Sequence, residues 1–476
     1  MRHLRCKPMT KKRFLPLAAS LCSLLSVAAA PPCLAESAVD GDPTVETQAG
    51  DFGETENFSL HGQATYVLQY KNRFYSPYVG DKSMLSTGDQ GKSYTLTMTP
   101  FMGARLWEGA AVFYNPEAVE SMAFSNLSGL GGFPNGEMQR GSNVPMKFYN
   151  ARYFIQQTFG FGGGQEYVEG GPNQLAGTID KRRLRITYGG FSALDYFDGN
   201  KYSHDPRTQF LNWSFMAMGA WDFPANSRGY TYGVVAEYFD EGWAVRLGRL
   251  AMPMEPNALR LDWGLNKQYG DQIEFEHEHT IGDQPGALRF LIFQNRGWMA
   301  SYSTAMNLAA QNNLATPDIL TSRNSYQNKW GYGINLEQAI TDKVGLFARW
   351  SWNDGQTETQ AFTDIDRSLS GGIVVNGAHW GRANDTWGIA GALNGIAGSQ
   401  IAYLSYGGNN GNGGSTMFIG DSKLNYRKEQ ILETYYSFNV WKGTYLSADY
   451  QYIANPAYNA DRGPVSFFGL RAHIEL

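Results

Sequence analysis

The last ten residues of the chain, at 467–476, read FFGLRAHIEL and alternate between apolar and polar side chains. Every second residue is apolar, and this apolar face consists of Phe468, Leu470, Ala472, Ile474 and Leu476. Arg471, His473 and Glu475 fall on the opposite parity. Because successive side chains of a β-strand point to opposite faces, the segment predicts a strand with one apolar and one charged face. Such a strand is typical of a membrane barrel, where one face meets lipid and the other meets water.

The same period of two returns in segments of about ten residues along the whole chain. Clear cases are GQATYVLQYK at 62–71, VGLFARWSWND at 344–354 and TYLSADYQYI at 444–453. Beyond residue 35 there is no run of eighteen or more apolar residues, which disfavours a transmembrane helix. A closed barrel is the remaining way to pair every backbone group in lipid. The sequence therefore predicts an all-β, transmembrane antiparallel β-barrel.

About sixteen strands are predicted, an even number that gives a lumen wide enough for water. They span 59–71, 91–106, 109–115, 148–159, 181–190, 229–239, 242–252, 271–281, 286–296, 326–340, 343–353, 383–394, 399–407, 428–440, 443–455 and 464–476. Short turns then fall at one end of the barrel, and long segments such as 253–270, 297–325 and 354–382 fall at the other. The first and last strands must pair to leave no open edge.

An even count requires residues 191–228 to form one long outer loop, the third, folded into the lumen. Within it, TQFLNWSFMAMGA at 208–220 is predicted to be helical or irregular rather than a strand.

Residues 1–35 have the layout of a secretory signal peptide: six basic residues, then an apolar run from Phe14 to Ala30, then a small-residue site ending at Ala35. All three cysteines lie in this segment, so the exported chain is expected to lack disulfides. The acidic stretch 36–57 is predicted to be a mobile arm, and 58–476 the barrel. Removing six of the 39 basic residues while keeping all 44 acidic ones leaves an acidic chain, which is not expected to bind nucleic acid.

Several separate motifs resemble the carbohydrate-selective porin family (OprB) of Gram-negative outer membranes. They are FSALDYFDGNKYSHDPRTQFLNW at 191–213, GAWDFPANSRGYTYG at 219–233, GIAGALNGI at 388–396 and the closing run from 429 to 476. The resemblance covers about residue 58 to the end. It implies a sixteen-stranded barrel that passes small sugars into the periplasm by passive diffusion, with a constriction built partly by loop 191–228. One departure is Leu476, because members of this family commonly end in an aromatic residue.

Candidate pore-lining residues follow first from strand parity. On 148–159, for example, the predicted inward polar residues are Asn150, Arg152 and Gln156. A guanidinium offers planar, forked donors that can engage pairs of sugar hydroxyls. The predicted lumen arginines are Arg152, Arg183, Arg185, Arg246, Arg289 and Arg349. The alternative is that these arginines pair with carboxylates and brace the wall, and the sequence leaves both interpretations open.

Loop 191–228 carries hydrogen-bonding groups beside aromatic side chains. A sugar presents hydroxyls at its rim and C–H bonds on its faces, so a selective constriction needs both kinds of group. The loop residues predicted to contact solute are Asp198, Asn200, Arg207 and Trp221. Elsewhere, His277 and His279 share one face of a predicted strand, with Glu274, Glu276 and Glu278 on the face toward the pore. Two histidines with no third ligand nearby do not predict a metal site, and no cofactor is expected.

Other classes of protein fit the sequence less well. A general or organic-anion-selective porin remains an alternative, because the arginines could attract anions, and a soluble β-sandwich or lectin is a further one. An enzyme is disfavoured, since no nucleophile motif occurs and a water-filled barrel lacks the desolvated pocket that acid–base chemistry needs. The expected partners are small sugars as permeating solutes and outer-membrane lipid. The barrel is expected to close within one chain, and assembly of a homotrimer is left open.

Overall fold

The computed structural model describes residues 53–87, 91–140, 143–409, 417–421 and 423–476. The predicted signal peptide, and the predicted arm as far as residue 52, lie outside the described residues. At the end of that arm, the Glu56 N–H donates to the Ala176 carbonyl at 3.0 Å.

Eighteen strands and three α-helices lie in the described residues. The strands are β1 Phe58–Lys71, β2 Lys92–Trp107, β3 Ala110–Met122, β4 Asn143–Gly160, β5 Gln165–Val168, β6 Gly177–Asp180, β7 Arg183–Phe191, β8 Thr231–Asp240, β9 Trp243–Ala251, β10 Tyr269–Ile281, β11 Gln284–Trp298, β12 Tyr326–Thr341, β13 Val344–Asn353, β14 Arg367–Asn376, β15 Thr386–Gly395, β16 Glu429–Trp441, β17 Thr444–Ala454 and β18 Val465–Glu475. The helices are α1 Trp213–Met216, α2 Tyr302–Gln311 and α3 Gly398–Ser405. No helix in the described parts of the chain is both long and apolar enough to cross a membrane.

Sixteen of these strands close into one antiparallel barrel, while β5 and β6 form a small separate sheet. Each wall strand pairs with its neighbours in sequence, except that β4 pairs with β7 across the β5–β6 hairpin. β18 closes the barrel on β1, with Glu475 opposite Gln63 and Phe467 opposite Lys71. The predicted fold class and the predicted pairing of the first and last strands are therefore confirmed.

The barrel has two unlike ends, here called the turn end and the loop end. The turn end carries the tight connections 241–242, 282–283, 342–343 and 442–443. The loop end carries the long connections 72–91, 123–142, 192–230, 252–268, 299–325, 354–366, 396–428 and 455–464. The predicted separation of short turns from long loops is confirmed. So is the prediction for 208–220, where α1 is the only regular element in the described structure.

Two of the predicted segments are wrong, one predicted strand and one predicted loop. Residues 399–407 are not a strand, because Gly398–Ser405 is helix α3. Conversely, β14 lies within the segment 354–382 that was predicted to be one long loop. The two errors cancel in the count, but β15 runs in the opposite direction to the predicted strand 383–394.

Weak local patterns explain both errors. β14 carries Gly371 and Gly372 at its centre, and glycine contributes no side chain to an alternating pattern. Helix α3 buries Gln400, Tyr403 and Leu404, whose spacing is that of one helix face. In a segment this short, Ile401 and Tyr403 also share one parity, so the pattern does not exclude a strand.

The terminal strand β18 shows the predicted division of faces. Phe468 and Leu470 are 47% and 63% exposed on the outside, whereas Arg471 and His473 are 2% and 1% exposed on the inside. The Arg471 guanidinium donates to the Pro206 carbonyl at 2.7 Å. Its inward side chain therefore contacts loop 192–230 rather than open water.

A β-bulge between β3 and β4 changes the parity of one wall strand. Asn115 lies opposite Arg152, but Pro116 lies opposite Asn150, so β4 has one extra residue at this point. Asn150 accepts a hydrogen bond from the exposed Tyr114 hydroxyl at 2.7 Å. The prediction that Asn150 faces the lumen is wrong, because the bulge reverses the alternation and turns Tyr149 inward in its place.

Several connections of the loop end fold into the barrel and meet in an aromatic core. The Trp213 ring lies 5.2 Å from that of Phe133 and 5.5 Å from that of Phe362, and Phe133 lies 5.0 Å from Phe418. These residues come from four different loops, and all four side chains are buried. Each aromatic pair contributes about 0.5–1.5 kcal/mol beyond its area burial. The core holds these loops in fixed positions inside the mouth of the barrel.

Candidate constriction site

Loop 192–230 is held against the barrel wall by a buried ion pair. Asp198 and Arg349 are both almost fully buried, and Arg349 Nε lies 3.1 Å from the Asp198 carboxylate. The same guanidinium donates to the backbone carbonyls of Phe215 and Ser203, at 2.9 and 2.7 Å. Asp198 also accepts from the Met218 N–H at 2.6 Å. One arginine on β13 therefore fixes three separate parts of the loop.

Carboxylates of other wall strands bind backbone N–H groups of the same loop. Glu433 on β16 accepts from Leu211 and Asn212, at 2.5 and 2.9 Å. Glu274 on β10 accepts from Asp198, and Glu337 on β12 accepts from Lys201, each at 2.7 Å. Charge-assisted bonds of this kind are about twice as strong as neutral ones. The loop therefore acts as a rigid insert in the lumen.

A cavity of about 280 Å³ lies between this insert, loop 123–142 and strands β2 to β4. We call its lining the eyelet. Its polar lining among the described residues consists chiefly of four arginines and four acidic residues: Arg140, Arg152, Arg207, Arg228, Glu117, Glu137, Asp195 and Asp205. The volume holds about nine water molecules, which is the scale of one sugar ring with its hydroxyls.

Arg207 and two glutamates form one side of the eyelet. Arg207 Nε lies 3.2 Å from Glu137, and its Nη2 lies 3.5 Å from Glu117. Glu117 also accepts hydrogen bonds from the hydroxyls of Thr99, at 2.8 Å, and Tyr149. The carboxylate is thus fixed by groups from three different elements.

Arg152 and Asp195 form a second ion pair of the eyelet. The two side chains make a bidentate pair with N–O distances of 2.7 and 2.6 Å. Asp195 ends a short 3-10 helix whose capping box includes a bond from the Ser192 N–H to the Asp195 carboxylate at 2.9 Å. The local turn therefore orients Asp195 before the arginine reaches it.

Burial and neighbouring charges shift the pKa of Glu137, Arg207 and His204 in the loops around the eyelet. Burial raises the pKa of Glu137, although Arg207 and the Thr97 hydroxyl act in the opposite direction. Burial alone would lower the pKa of Arg207, but Glu137, Asp205 and Glu117 raise it above the ordinary value. Burial, followed by the charge of Arg349, lowers the pKa of His204. Arg207 therefore stays charged, while Glu137 takes up a proton more readily than an exposed glutamate.

Aromatic rings complete the eyelet. Tyr230 lines it and donates its hydroxyl to Glu117 at 3.2 Å, and Phe223, Phe362 and Phe418 also belong to the lining. The Arg228 guanidinium stacks 4.2 Å from the centre of the Tyr149 ring. Hydrogen-bonding groups and apolar ring faces therefore meet in a single cavity.

A row of alternating charges, which we call the arginine ladder, follows the inner wall from β7 to β13. Its members are Arg185, Glu237, Arg246, Glu274, Glu276, Arg289, Glu337 and Arg349. Most successive members face each other directly across neighbouring strands, as Arg246 faces Glu274. Arg246 reaches Glu237, Glu274 and Glu276 at 3.2, 3.0 and 3.2 Å. Arg185, Arg246 and Arg289 are bound to wall carboxylates, as in the bracing alternative, whereas Arg349 is bound to Asp198 of the loop.

The ten predicted site residues fall into four groups. Arg152 and Arg207 line the eyelet, and Arg185, Arg246 and Arg289 belong to the ladder. Arg183 lies at the turn end, where it pairs with Glu166 of β5 at 2.8 Å. The remaining four, Asp198, Asn200, Trp221 and Arg349, are buried where the loop meets the wall.

The bonds of this last group are directed toward protein. Trp221 is 1% exposed, and its indole N–H donates to Gln272 at 2.8 Å. The Asn200 amide donates to Asn335 at 2.7 Å. That these side chains contact solute stays a prediction.

Sequence reasoning did not identify Glu117, Glu137, Tyr149 or Tyr230 as eyelet residues. For Glu117 and Tyr149, the sequence did contain a signal in Pro116, because a proline inside a wall strand marks a bulge or an edge. Allowing for that bulge would have placed Tyr149 opposite Glu117. Within the described part of the chain, no group of three His, Cys, Asp or Glu residues could hold a metal ion.

Comparison with known proteins gives one family. The model of the family described as carbohydrate-selective porin, OprB family, matches residues 130–476. No curated protein matches in sequence.

Among solved structures, the high-pH structure of Pseudomonas putida OprB has a TM-score of 0.65 at 15% identity, covering 88% of this chain and 94% of that chain. The outer-membrane channel DcaP of Acinetobacter baumannii has a TM-score of 0.47 at 10% identity, covering 88% of this chain and 97% of that chain. At these identities the likeness to OprB of P. putida concerns the fold.

Proposed function

The chain belongs to the carbohydrate-selective porin (OprB) family, and from that premise we propose that it carries small sugars by passive diffusion across the Gram-negative outer membrane into the periplasm. The observation that carries the proposal is the eyelet, where paired arginines and carboxylates face aromatic rings in a closed barrel. Neutral solutes rich in hydroxyls can exchange hydrogen bonds with such groups without bringing a charge of their own. The apolar ring faces suit the C–H faces of a sugar.

The charge balance supports a neutral solute over the alternative of an organic anion. Four arginines and four acidic residues of the described chain line the eyelet, and the ladder arginines are each paired with carboxylates. A site for anions would instead carry an excess of guanidinium groups over carboxylates. We therefore keep the anion-selective porin as the second candidate and expect it to fail in the experiment below.

The proposal assigns solute contact chiefly to Arg152 and Arg207. Arg183, Arg185, Arg246 and Arg289 are proposed to line and hold the wall, while Asp198, Asn200, Trp221 and Arg349 hold the constriction loop. Family and fold are those of a channel, and we propose no catalytic step. Export by residues 1–35, lipid contact of the apolar outer face and assembly of closed barrels into trimers belong to the same proposal.

Planar-bilayer recording tests this function. Purified barrels are inserted into a bilayer, and ionic current is measured while glucose or an organic anion such as benzoate is added. We expect glucose to reduce the current at millimolar concentration, because a sugar in the eyelet displaces the ions that carry it. If only the anion blocks or permeates preferentially, the carbohydrate proposal is overturned and the second candidate stands.

A further inference from the structure

A second cavity, of about 380 Å³, adjoins the eyelet on the lipid-facing side of the wall at the loop end. Its lining includes Tyr153 of β4, Arg228 and Tyr230 of loop 192–230, and Arg260 and Trp263 of loop 252–268. Arg228 and Tyr230 also line the eyelet. One layer of side chains therefore separates this outer cavity from the lumen.

The outer cavity lies where the wall lacks a strand. β7 ends at Phe191, which pairs with Thr231 of β8. β4 pairs with β7 through residues 153–160, but residues 144–152 of β4 have no described strand partner on that side. An uncovered strand edge at a membrane surface needs another group to occupy the space beside it.

The charge of the outer cavity is unlike that of the eyelet. Two arginines line it, whereas no acidic residue is among its described lining. Neither Arg228 nor Arg260 has an ion pair with any carboxylate of the described chain, in contrast to Arg152 and Arg207. Asp262 lies in sequence between the lining residues Leu261 and Trp263 but is not part of the lining. Its carboxylate accepts a hydrogen bond from the Gly264 N–H at 3.1 Å. The cavity is therefore cationic and suits an anionic group.

Outward aromatic residues set the height of this cavity in the membrane. Trp263 lies 5.0 Å from Tyr232, which lies 5.3 Å from Tyr188 on the outer face of the wall. Trp263 is 54% exposed, and Leu259, also in the lining, is 51% exposed. Aromatic rings on the outer face of a barrel mark the boundary between hydrocarbon and headgroups. The two arginines therefore lie at the level of lipid headgroups, with apolar side chains beside them for acyl chains.

We propose that the outer cavity binds a phosphate-bearing lipid headgroup of the outer leaflet. Arg228 and Arg260 bind the phosphate oxygens, and Trp263 and Leu259 contact the lipid chains. A bound lipid would also cover residues 144–152 of β4, the edge that is left unpaired because β7 ends at Phe191. The inference rests on the proposed placement in an outer membrane and is independent of which solute passes the eyelet.

Lipid binding can be measured on the intact barrel in nanodiscs of phosphatidylethanolamine containing bisphosphorylated lipid A. Native mass spectrometry reports the lipid A retained per barrel as its fraction is varied. We expect Arg260→Gln to weaken retention about tenfold or more, because a hydrogen-bonded charge is lost. The matched control is Arg427→Gln, which removes an exposed arginine of loop 396–428, and we expect it to retain lipid like the wild type.

Two further probes distinguish the source of the phosphate. Dephosphorylated lipid A should bind as weakly to the wild type as phosphorylated lipid A does to Arg260→Gln. Inorganic phosphate at millimolar concentration should not displace the lipid. Any one of three results would overturn the lipid proposal. The wild type could retain dephosphorylated lipid A as well as phosphorylated lipid A, inorganic phosphate could displace the lipid, or Arg260→Gln could retain as much lipid A as the wild type.

The same preparations separate this inference from the proposed function. Glucose block of the current should be unchanged in Arg260→Gln, because Arg260 lies outside the eyelet. Loss of lipid retention with intact glucose block supports the inference. Wild-type barrels that fail to retain lipid A but still show glucose block overturn the inference alone.

Discussion

The arginine ladder and the eyelet contain the same residue types and use them differently. In the ladder, Arg246 lies within 3.2 Å of three glutamates on the two neighbouring wall strands, β8 and β10. In the eyelet, Arg207 reaches Glu137 and Glu117 at 3.2 and 3.5 Å and also lines an open cavity. Its partners come from another loop and from β3. An inward arginine therefore braces the wall or lines the cavity according to which loops fold over it.

The largest expected effect is at the end of the ladder. Arg349→Met leaves the Asp198 carboxylate buried without its cation, and breaking a buried pair costs about 3–5 kcal/mol. We expect loop 192–230 to detach and its amide protons to exchange faster with solvent. Hydrogen exchange measured by mass spectrometry checks this.

A second substitution provides the control for that experiment. Asp198→Asn in the Arg349→Met background removes the unpaired charge and should restore part of the protection. If Arg349→Met exchanges like the wild type, the ladder does not hold the loop.

The comparison predicts a different outcome for one arginine in each region. Arg207→Gln removes a charged donor from the eyelet, so the glucose concentration that gives half block should rise about tenfold. Arg246→Gln should change it less than about threefold, because the wall carboxylates already occupy that guanidinium. Current recordings on both variants measure this. An equal loss of block in the two variants would show that ladder arginines contact solute.

The eyelet should also respond to pH. Burial raises the pKa of Glu137 above the ordinary value of 4.5, so this carboxylate is lost at a higher pH than an exposed glutamate would be. As pH falls from 7 toward that raised pKa, Glu137 becomes neutral and the eyelet gains net positive charge. The reversal potential measured in a salt gradient should therefore shift by a few millivolts in the direction of anion selectivity. Glu137→Gln should show this preference already at pH 7 and a smaller change on acidification. A wild type and a variant that titrate identically would rule out Glu137 as the group responsible.

The smallest effect is expected for an ion pair on the outer face of the barrel wall. Arg249 and Asp271 face each other on β9 and β10, just as Arg246 and Glu274 do, but the outer pair is 47% and 40% exposed. An exposed pair contributes about 0–1 kcal/mol, so Arg249→Gln should lower the temperature of the heat-induced gel-mobility shift by less than Arg246→Gln does. A larger fall for Arg249→Gln would contradict the assignment of the ladder as the bracing element.

Strand positions were predictable because alternation is local. The faces of β18, and of Glu274 and Glu276 on β10, follow from a side-chain period of two that each strand carries by itself. The prediction failed where the local signal was weak or interrupted, at glycine-rich β14, at α3 and at the bulge beside Pro116. Errors of this kind displace single residues and segments but leave the barrel recognisable.

The eyelet could be predicted only in part. Arg152 and Arg207 were identified from parity and from the composition of loop 192–230, but their neighbours were not. Glu117 and Arg207 are ninety positions apart and belong to different elements, a strand and an inserted loop. No periodicity connects such positions, so the pairing becomes visible only when the loop is seen inside the lumen.

By itself, the sequence determined an all-β barrel that closes its last strand on its first, because backbone pleating and the need to pair every polar group in lipid act on each strand alike. Tertiary structure decided which inward arginines reach the cavity, because that depends on where Asp198, Glu433 and the aromatic core fix the inserted loops. Within the described residues it also left Arg228 and Arg260 without acidic partners, where β7 ends before it can cover the edge of β4. Long-range contacts, rather than local pattern, therefore determine what each charged residue of the lumen can do.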